Sequence, residues 1–277
     1  MMPLFNRTGR ITAISLAVLI FSVGQSLAAG IGQDYDLTFV GAEETINGAI
    51  YQQWDGQPTG TGVFGTFVEI GQPGGSIDSA DGYNTTVNNV LNNGASDQHN
   101  YSITLADLSF TTVNTVDYAV FALDINEDSG FPSSPGEFLS LDDVQIFVGG
   151  TENASFDTFT NGTLDHDGIL IYQMDGIEDS WLALDYSLNN GSGSGDMLLY
   201  IDASLFDNFN STDVITLYSV FGQQGDVAPP GYNGDFGQSD GFEEWAFQGA
   251  VTQVPEPGSA ILFGVGILIV NRRLRRR

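Results

Sequence analysis

Between residues 35 and 251 the chain alternates short apolar runs with clusters of Gly, Asn, Asp and Ser. Tyr35-x-Leu37-x-Phe39 and Tyr101-x-Ile103-x-Leu105 keep a period of two, which places alternate side chains on opposite faces and predicts half-buried strands. Strand-sized runs rich in β-branched and aromatic residues recur at Val63–Ile70, Val116–Ile125, Phe138–Val148, Ile169–Met174, Trp181–Leu188, Met197–Ile201, Val214–Phe221 and Phe242–Val251. About ten strands separated by turn chemistry predict an all-β fold, a single jelly-roll-like β-sandwich over 29–253. Helical periodicity is scarce. It suggests only a brief turn at Thr86–Leu91, within the Asn-rich Asn84–Asn100, which reads as a long surface loop.

Two apolar runs break the alternation, one near each end. Arg7 and Arg10 precede the run Ile11–Val23, and Ser26-Leu27-Ala28 follows with small residues at both outer positions, the pattern of a signal peptide cleaved after Ala28. At the other end Val254-Pro255-Glu256-Pro257 leads into an apolar stretch from Ala260 to Val270. Arg272, Arg273, Arg275, Arg276 and Arg277 follow. The two prolines fix φ and remove donors, so 254–257 should be extended and open to a protease. The stretch is shorter than the ~20 residues that usually span a bilayer, so it predicts a marginal hydrophobic helix, and the arginines hold that end in the cytoplasm. The body between the two segments is then exported.

Pro-Glu-Pro, one short hydrophobic helix and an arginine cluster, in that order at 254–277, resemble the PEP-CTERM sorting signal. The resemblance implies secretion machinery, transient retention in the inner membrane, and cleavage by an exosortase-type protease. A second resemblance lies in Gly195–Ile201, Leu217-Tyr218-Ser219 and Asp240–Ala246, which are similar to a recurring pattern in one group of PEP-CTERM proteins that has no assigned activity. The residues themselves suggest packing for Leu199, Ile201 and Trp245, and turns for Asp196 and Gly241.

Charge sharpens this reading. All seven Lys and Arg of the chain are arginines in the two end segments, and only Glu256 of the thirty-five acids lies there, so 29–253 carries thirty-four (35 less 1) acids and no basic residue but histidine. Such a body repels nucleic acid and anionic lipid, attracts divalent cations, and has no salt bridges with Lys or Arg to hold it together. Cysteine is absent, so the exported domain rests on its core without disulfides.

Candidate chemistry is sparse. Asp124, Asn126 and Asp128 place oxygen side chains at alternate positions, a spacing that can surround Ca²⁺, although Gly130 falls one place late for an EF-hand and Pro135 stands where its bidentate Glu would be. Asp165-His166-Asp167-Gly168 reads as a solvated turn, and with only His99 and His166 there is little material for a zinc site or a triad. Gly191–Gly195 reads as a flexible hairpin connection. Glu243, Glu244 or Asp240 beside Trp245 could supply a glycosidase's two carboxylates and a stacking ring. The expectation is an exported, non-enzymatic surface or matrix protein associated with exopolysaccharide. A carbohydrate- or Ca²⁺-binding module and a carbohydrate-active hydrolase are the alternatives.

Overall fold

The computed structural model describes residues 34–247 except 55–63, 72–78, 89, 95–97, 128–135, 192 and 228–234. Ala28, Asp128, the segment Val254–Pro257, the apolar run after it and the terminal arginines lie outside the described residues. Among those described, no helix is long and apolar enough to cross a membrane.

The strands are β1 (Asp34–Asp36), β2 (Glu43–Ile46), β3 (Ala49–Gln53), β4 (Thr66–Gly71), β5 (Ala80–Tyr83), β6 (Ile103–Thr104), β7 (Phe110–Val113) and β8 (Val116–Asp124). They continue as β9 (Phe138–Val148), β10 (Phe159–Thr160), β11 (Thr163–Leu164), β12 (Ile169–Gln173), β13 (Trp181–Asp185), β14 (Met197–Asp202), β15 (Val214–Phe221) and β16 (Phe242–Phe247). Two seven-stranded sheets form a sandwich. Sheet A runs β1-β13-β9-β15-β5, with β12 beside β9 and β6 beside β15; sheet B runs β2-β3-β14-β8-β16-β4, with β7 beside β8. Pairing is antiparallel throughout both sheets except between β1 and β13.

Alternation explains the core. Leu123, Phe121, Met197, Leu199, Tyr51, Val68 and Trp245 of sheet B meet Leu139, Leu141, Val144, Ile146, Ile215 and Leu217 of sheet A. Two hydrogen bonds satisfy polar atoms within it: Tyr51 and Tyr172 join hydroxyls at 2.7 Å, and Trp245 Nε1 donates to Ser219 Oγ across the sheets at 3.0 Å. All eleven residues of β9 are buried because its outer side is covered too. There Phe147, Tyr218 and Val220 pack with Tyr83, Val90 and Leu164.

The predicted strands are present, most of them shorter than expected. The run from Trp181 leaves the sheet at Asp185 and finishes as a 3-10 turn, Tyr186–Leu188, and Phe39 is 55% exposed beyond the end of β1. Asn84–Asn100 departs from expectation more deeply, because Asn84, Thr85, Val90 and Asn100 are buried and its described residues form no helix. Asn84 imitates a strand residue, its amide donating to Ile215 O at 2.8 Å and accepting from Leu217 N at 2.8 Å. Asparagine was expected to mark solvent; here its side-chain amide completes the edge of a sheet.

Candidate functional site

Sheet B gathers acids on its outer face. Glu69 of β4 stands opposite Glu244 of β16, and Glu244 stands opposite Asp124 of β8. Opposed residues share a face. Their chain neighbours Val68, Trp245 and Leu123 belong to the inter-sheet core, so this row points the other way. Asp196 extends it, its amide donating to Leu123 O at 2.7 Å just before β14 begins.

Each acid is held by local design. Residues 92–94 run along β4, with Gly71 N donating to Asn92 O at 2.8 Å and Gly94 N to Glu69 O at 2.9 Å. Asn100 clamps the same backbone, its Oδ1 accepting from Glu69 N at 3.1 Å and its Nδ2 donating to Gly94 O at 2.9 Å. Gly94 packs closely here, since a Cβ would lie 2.6 Å from Glu69 Oε2 and 3.0 Å from Glu69 Cβ. This clamp brings His99 Nδ1 onto Glu69 Oε1 and to 3.9 Å from Glu244 Oε1.

Asp124, at 0% exposure, is cradled by the glycine-rich segment, with Gly193 N donating to Oδ2 and the amides of Ser194 and Gly195 also favouring its charge. The segment expected to be a flexible connection is thus an anion nest whose anion is the protein's own carboxylate. Asp196 Oδ2 accepts from Ile125 N at 2.8 Å. On the core side, Glu243 Oε2 accepts from Asn126 N at 2.9 Å, and Glu127 Oε2 accepts from Ser239 N at 2.8 Å. Glu243 Oε1 accepts from Gln238 Nε2 at 3.3 Å, whereas one oxygen of Asp124, Asp196 and Glu127 remains over. Asp124 Oδ1, Glu127 Oε1, Asp196 Oδ1 and Gln238 Oε1 are buried with no hydrogen-bond partner.

Burial with little compensation keeps protons on these groups. Burial pushes Asp124 up to about 6 against the pull of the amides, and Glu127 up to about 8 against its Ser239 bonds. Asp196 is raised well above the carboxylate range by burial, and Glu243 by burial and then by Glu127's charge. Glu244 rises to about 7 through burial and the charges of Asp124 and Glu69, with His99 opposing. Asn126, Glu127, Tyr186, Asp240, Gly241, Phe242 and Glu244 line a cleft of about 350 Å³ beside the row.

The same face carries rings. Trp54, Phe64, Tyr118 and Tyr200, all half-buried, pack on Val120, Ala122 and Leu198. Tyr118 and Tyr200 meet edge to face at 6.0 Å, and Tyr200 Oη donates to Gln52 Oε1 at 3.1 Å. Gly195, at φ 56°, leaves room for Trp54, whose ring would collide with any Cβ there.

The anticipated residues fare unequally. Asp124 belongs to the row. Asn126 is turned to its neighbours, Nδ2 donating to Phe242 O at 2.8 Å. Glu243 and Glu244, consecutive on β16, point to opposite faces, and Trp245 is 0% exposed, so these three do not make a sugar-stacking acid pair. His166 is no open turn residue. It packs against Phe147 and Phe156, accepts from Gly168 N at Nδ1, and burial lowers its pKa. Glu69, His99, Asp196, Glu127 and Gln238 were not foreseen as site residues, because contacts between distant segments, not spacing in sequence, assemble them. Glu69 alone left a trace, as the charge inside Phe67-Val68-Glu69-Ile70.

Residues 253–277 match the PEP-CTERM protein-sorting motif. The motif implies processing by exosortase, a membrane protease, with export and transient anchoring before release. No curated protein and no solved structure matches the chain.

Proposed function

We propose that the exported body is a non-enzymatic module that associates with exopolysaccharide at the cell surface or in the extracellular matrix, using the outer face of sheet B. The observation that carries this reading is the half-buried aromatic group Trp54, Phe64, Tyr118 and Tyr200 on that face. Such rings keep an apolar surface for the C–H face of a sugar while a polar atom reaches water. Gln52, already paired with Tyr200, offers an amide for sugar hydroxyls. The adjoining acids repel an anionic polymer, so the partner is a neutral glycan or an anionic one bridged by divalent cations.

The full chain in detergent micelles, run in native gels with and without dissolved neutral or uronic-acid polysaccharide, tests this. Retardation by a polymer is expected, reduced about tenfold or more in apparent affinity by Trp54→Ala with Tyr200→Ala. An unretarded parent would sink the proposal, and release of reducing sugar would sink the non-enzymatic part of it.

Ca²⁺ binding is a second reading, and the buried, unpartnered oxygens of Asp124 and Asp196, adjacent acids of the row, favour it. Oxygen ligands around a hard cation suit Ca²⁺, and each carboxylate here has its other oxygen oriented by a backbone donor, the kind of support that metal ligands receive.

A further inference from the structure

Glu69, His99 and Glu244 each offer one ligand atom, and these atoms all lie within 4.8 Å of one another. They come from three places in the chain: β4, the turn at 98–100 and β16. Asn100, the residue after His99, binds the backbone of Glu69 through both ends of its amide. Glu69 and Glu244 are mostly buried, at 9% and 14% side-chain exposure, whereas His99 is 46% exposed and leaves a route from solvent.

The chemistry of the donor set differs from that of the oxygen cluster beside it. An imidazole nitrogen with two carboxylates suits a borderline dication, and Zn²⁺ binds such atoms at roughly 2.0–2.2 Å. Tetrahedral bonds of that length put ligand atoms roughly 3.3 Å apart. His99 Nδ1 is in direct contact with Glu69 Oε1, closer than that spacing, and stands 3.9 Å from Glu244 Oε1, so a metal would part His99 from Glu69 and draw Glu244 in. A further buried acid lies beside them. Asp124, register neighbour of Glu244 on the same face and fully buried, has Oδ1 without a partner. Glu69 and Glu244, both mostly buried, face one half-exposed histidine, and no Lys or Arg between residues 29 and 253 is there to pair with them.

We propose that Glu69, His99 and Glu244 form a binding site for a borderline transition-metal dication, with Zn²⁺ as its representative. The site uses His99 Nδ1, and it stands whether or not the oxygen cluster takes Ca²⁺ or the aromatic face takes glycan.

The protein has only two histidines, which makes a direct test available. Ring nitrogens of the untagged, nitrogen-15-labelled full chain in detergent micelles are observed by NMR during titration with ZnCl₂ in a constant excess of Ca²⁺. His99 should shift as Nδ1 is taken by metal, while His166, packed against Phe147 and Phe156, should not move. Calorimetry should give one Zn²⁺ per chain, weakened about tenfold or more by His99→Gln and by Glu244→Gln, since losing a ligand should cost no less than losing its outer support. Asp196→Asn should leave Zn²⁺ affinity within about twofold and thereby separates this site from the Ca²⁺ reading. If Zn²⁺ leaves the His99 ring unchanged in the parent, or binds His99→Gln as it binds the parent, the site does not exist and the ion is held diffusely by the acidic surface.

Discussion

The two sheets each bury a group of aspartates, and they treat them in opposite ways. In sheet A, Asp142 is the additional residue of a bulge, where β15 pairing steps from Asp143 to Leu141. Its oxygens are used: Oδ2 accepts from Ser140 Oγ at 2.9 Å and Gln223 N at 2.8 Å, and Oδ1 from Gln224 Nε2 at 3.1 Å. Asp143 is served by Gln145 Nε2 at 2.6 Å and, more weakly, by Asp175 N at 3.4 Å. In sheet B, Asp124, Asp196 and Glu127 each have one oxygen fixed and one left over. A buried polar atom without a partner costs about 1–3 kcal/mol. Satisfied carboxylates lock a bulge, whereas unsatisfied ones store a demand that a ligand can meet. Acidity alone does not distinguish them; the donor inventory does.

The same chemical change should therefore have opposite effects in the two places. Asp142→Asn turns one acceptor oxygen into a donor facing donors, and is expected to destabilise the fold by about 1–3 kcal/mol with or without Ca²⁺. Asp196→Asn keeps an acceptor for Ile125 N, removes a buried charge beside Asp124 and adds an N–H. In chelator it should stabilise the fold by about 1 kcal/mol. In the parent, Ca²⁺ at a hundredfold above its dissociation constant should stabilise by about 2.7 kcal/mol, and Asp196→Asn should lose that gain. Urea unfolding in EDTA, in CaCl₂ and in NaCl of equal ionic strength measures all of these. Equal Ca²⁺ and NaCl responses in parent and variant would reduce the cluster to diffuse screening.

Much of this architecture was legible in the sequence, and the illegible parts have physical causes. Leu199, Ile201 and Trp245 are fully buried, as their pattern suggested, because period-two alternation is a local signal. Turn glycines and asparagines also carry one: β2 and β3 meet at Asn47-Gly48, with φ 46° and 88°, a hairpin that the Asn-Gly pair encodes although its short flanking runs drew no strand prediction. The site was not local. Glu69, His99, Asp124, Asp196 and Glu244 become neighbours through contacts between distant segments that no spacing rule reports. Asparagine misled most, since Asn84, Asn93 and Asn100 use their amides as replacement backbone, which composition cannot distinguish from a solvated loop.

Both clusters share one property that should appear in the pH dependence. Asp142 is raised to about 6 by burial, against its hydrogen bonds, and Asp175 to about 7 by burial and by the charges of Asp143, Asp179 and Asp142. In sheet B, Asp124 stands at about 6 and Glu127 at about 8. Between the unfolded value near 4 and these folded values, the native state binds protons that the unfolded state does not, so stability falls as pH rises. The contribution is complete below about pH 4 and is lost as pH climbs through 6 to 8. In EDTA, the midpoint of thermal unfolding should rise by several degrees from pH 8 to pH 5, the reverse of a protein held by Lys–Asp pairs. Saturating Ca²⁺ should flatten the sheet B share and leave the sheet A share. A midpoint that falls over this range would mean that the carboxylates ionise in the fold at little cost.

The smallest effect separates the kinds of donor. Asp142 is held largely by side chains, Asp124 by the backbone of 193–195, and only the shape of that turn can be altered to weaken the second. Gly193 has φ 82°, in the left-handed region where an L side chain is strained. Gly193→Ala should cost about 1 kcal/mol from this strain, at every pH. To whatever extent the turn shifts, its amides also release the Asp124 carboxylate, and that part should matter only while Asp124 is ionised. The loss measured by urea unfolding in EDTA should then be larger at pH 8 than at pH 5, below the value of about 6 to which burial raises Asp124. Equal losses at the two pH values would show that the nest shapes the chain but does not hold the charge, and the orphaned Oδ1 would then belong to a carboxyl that is neutral for want of support.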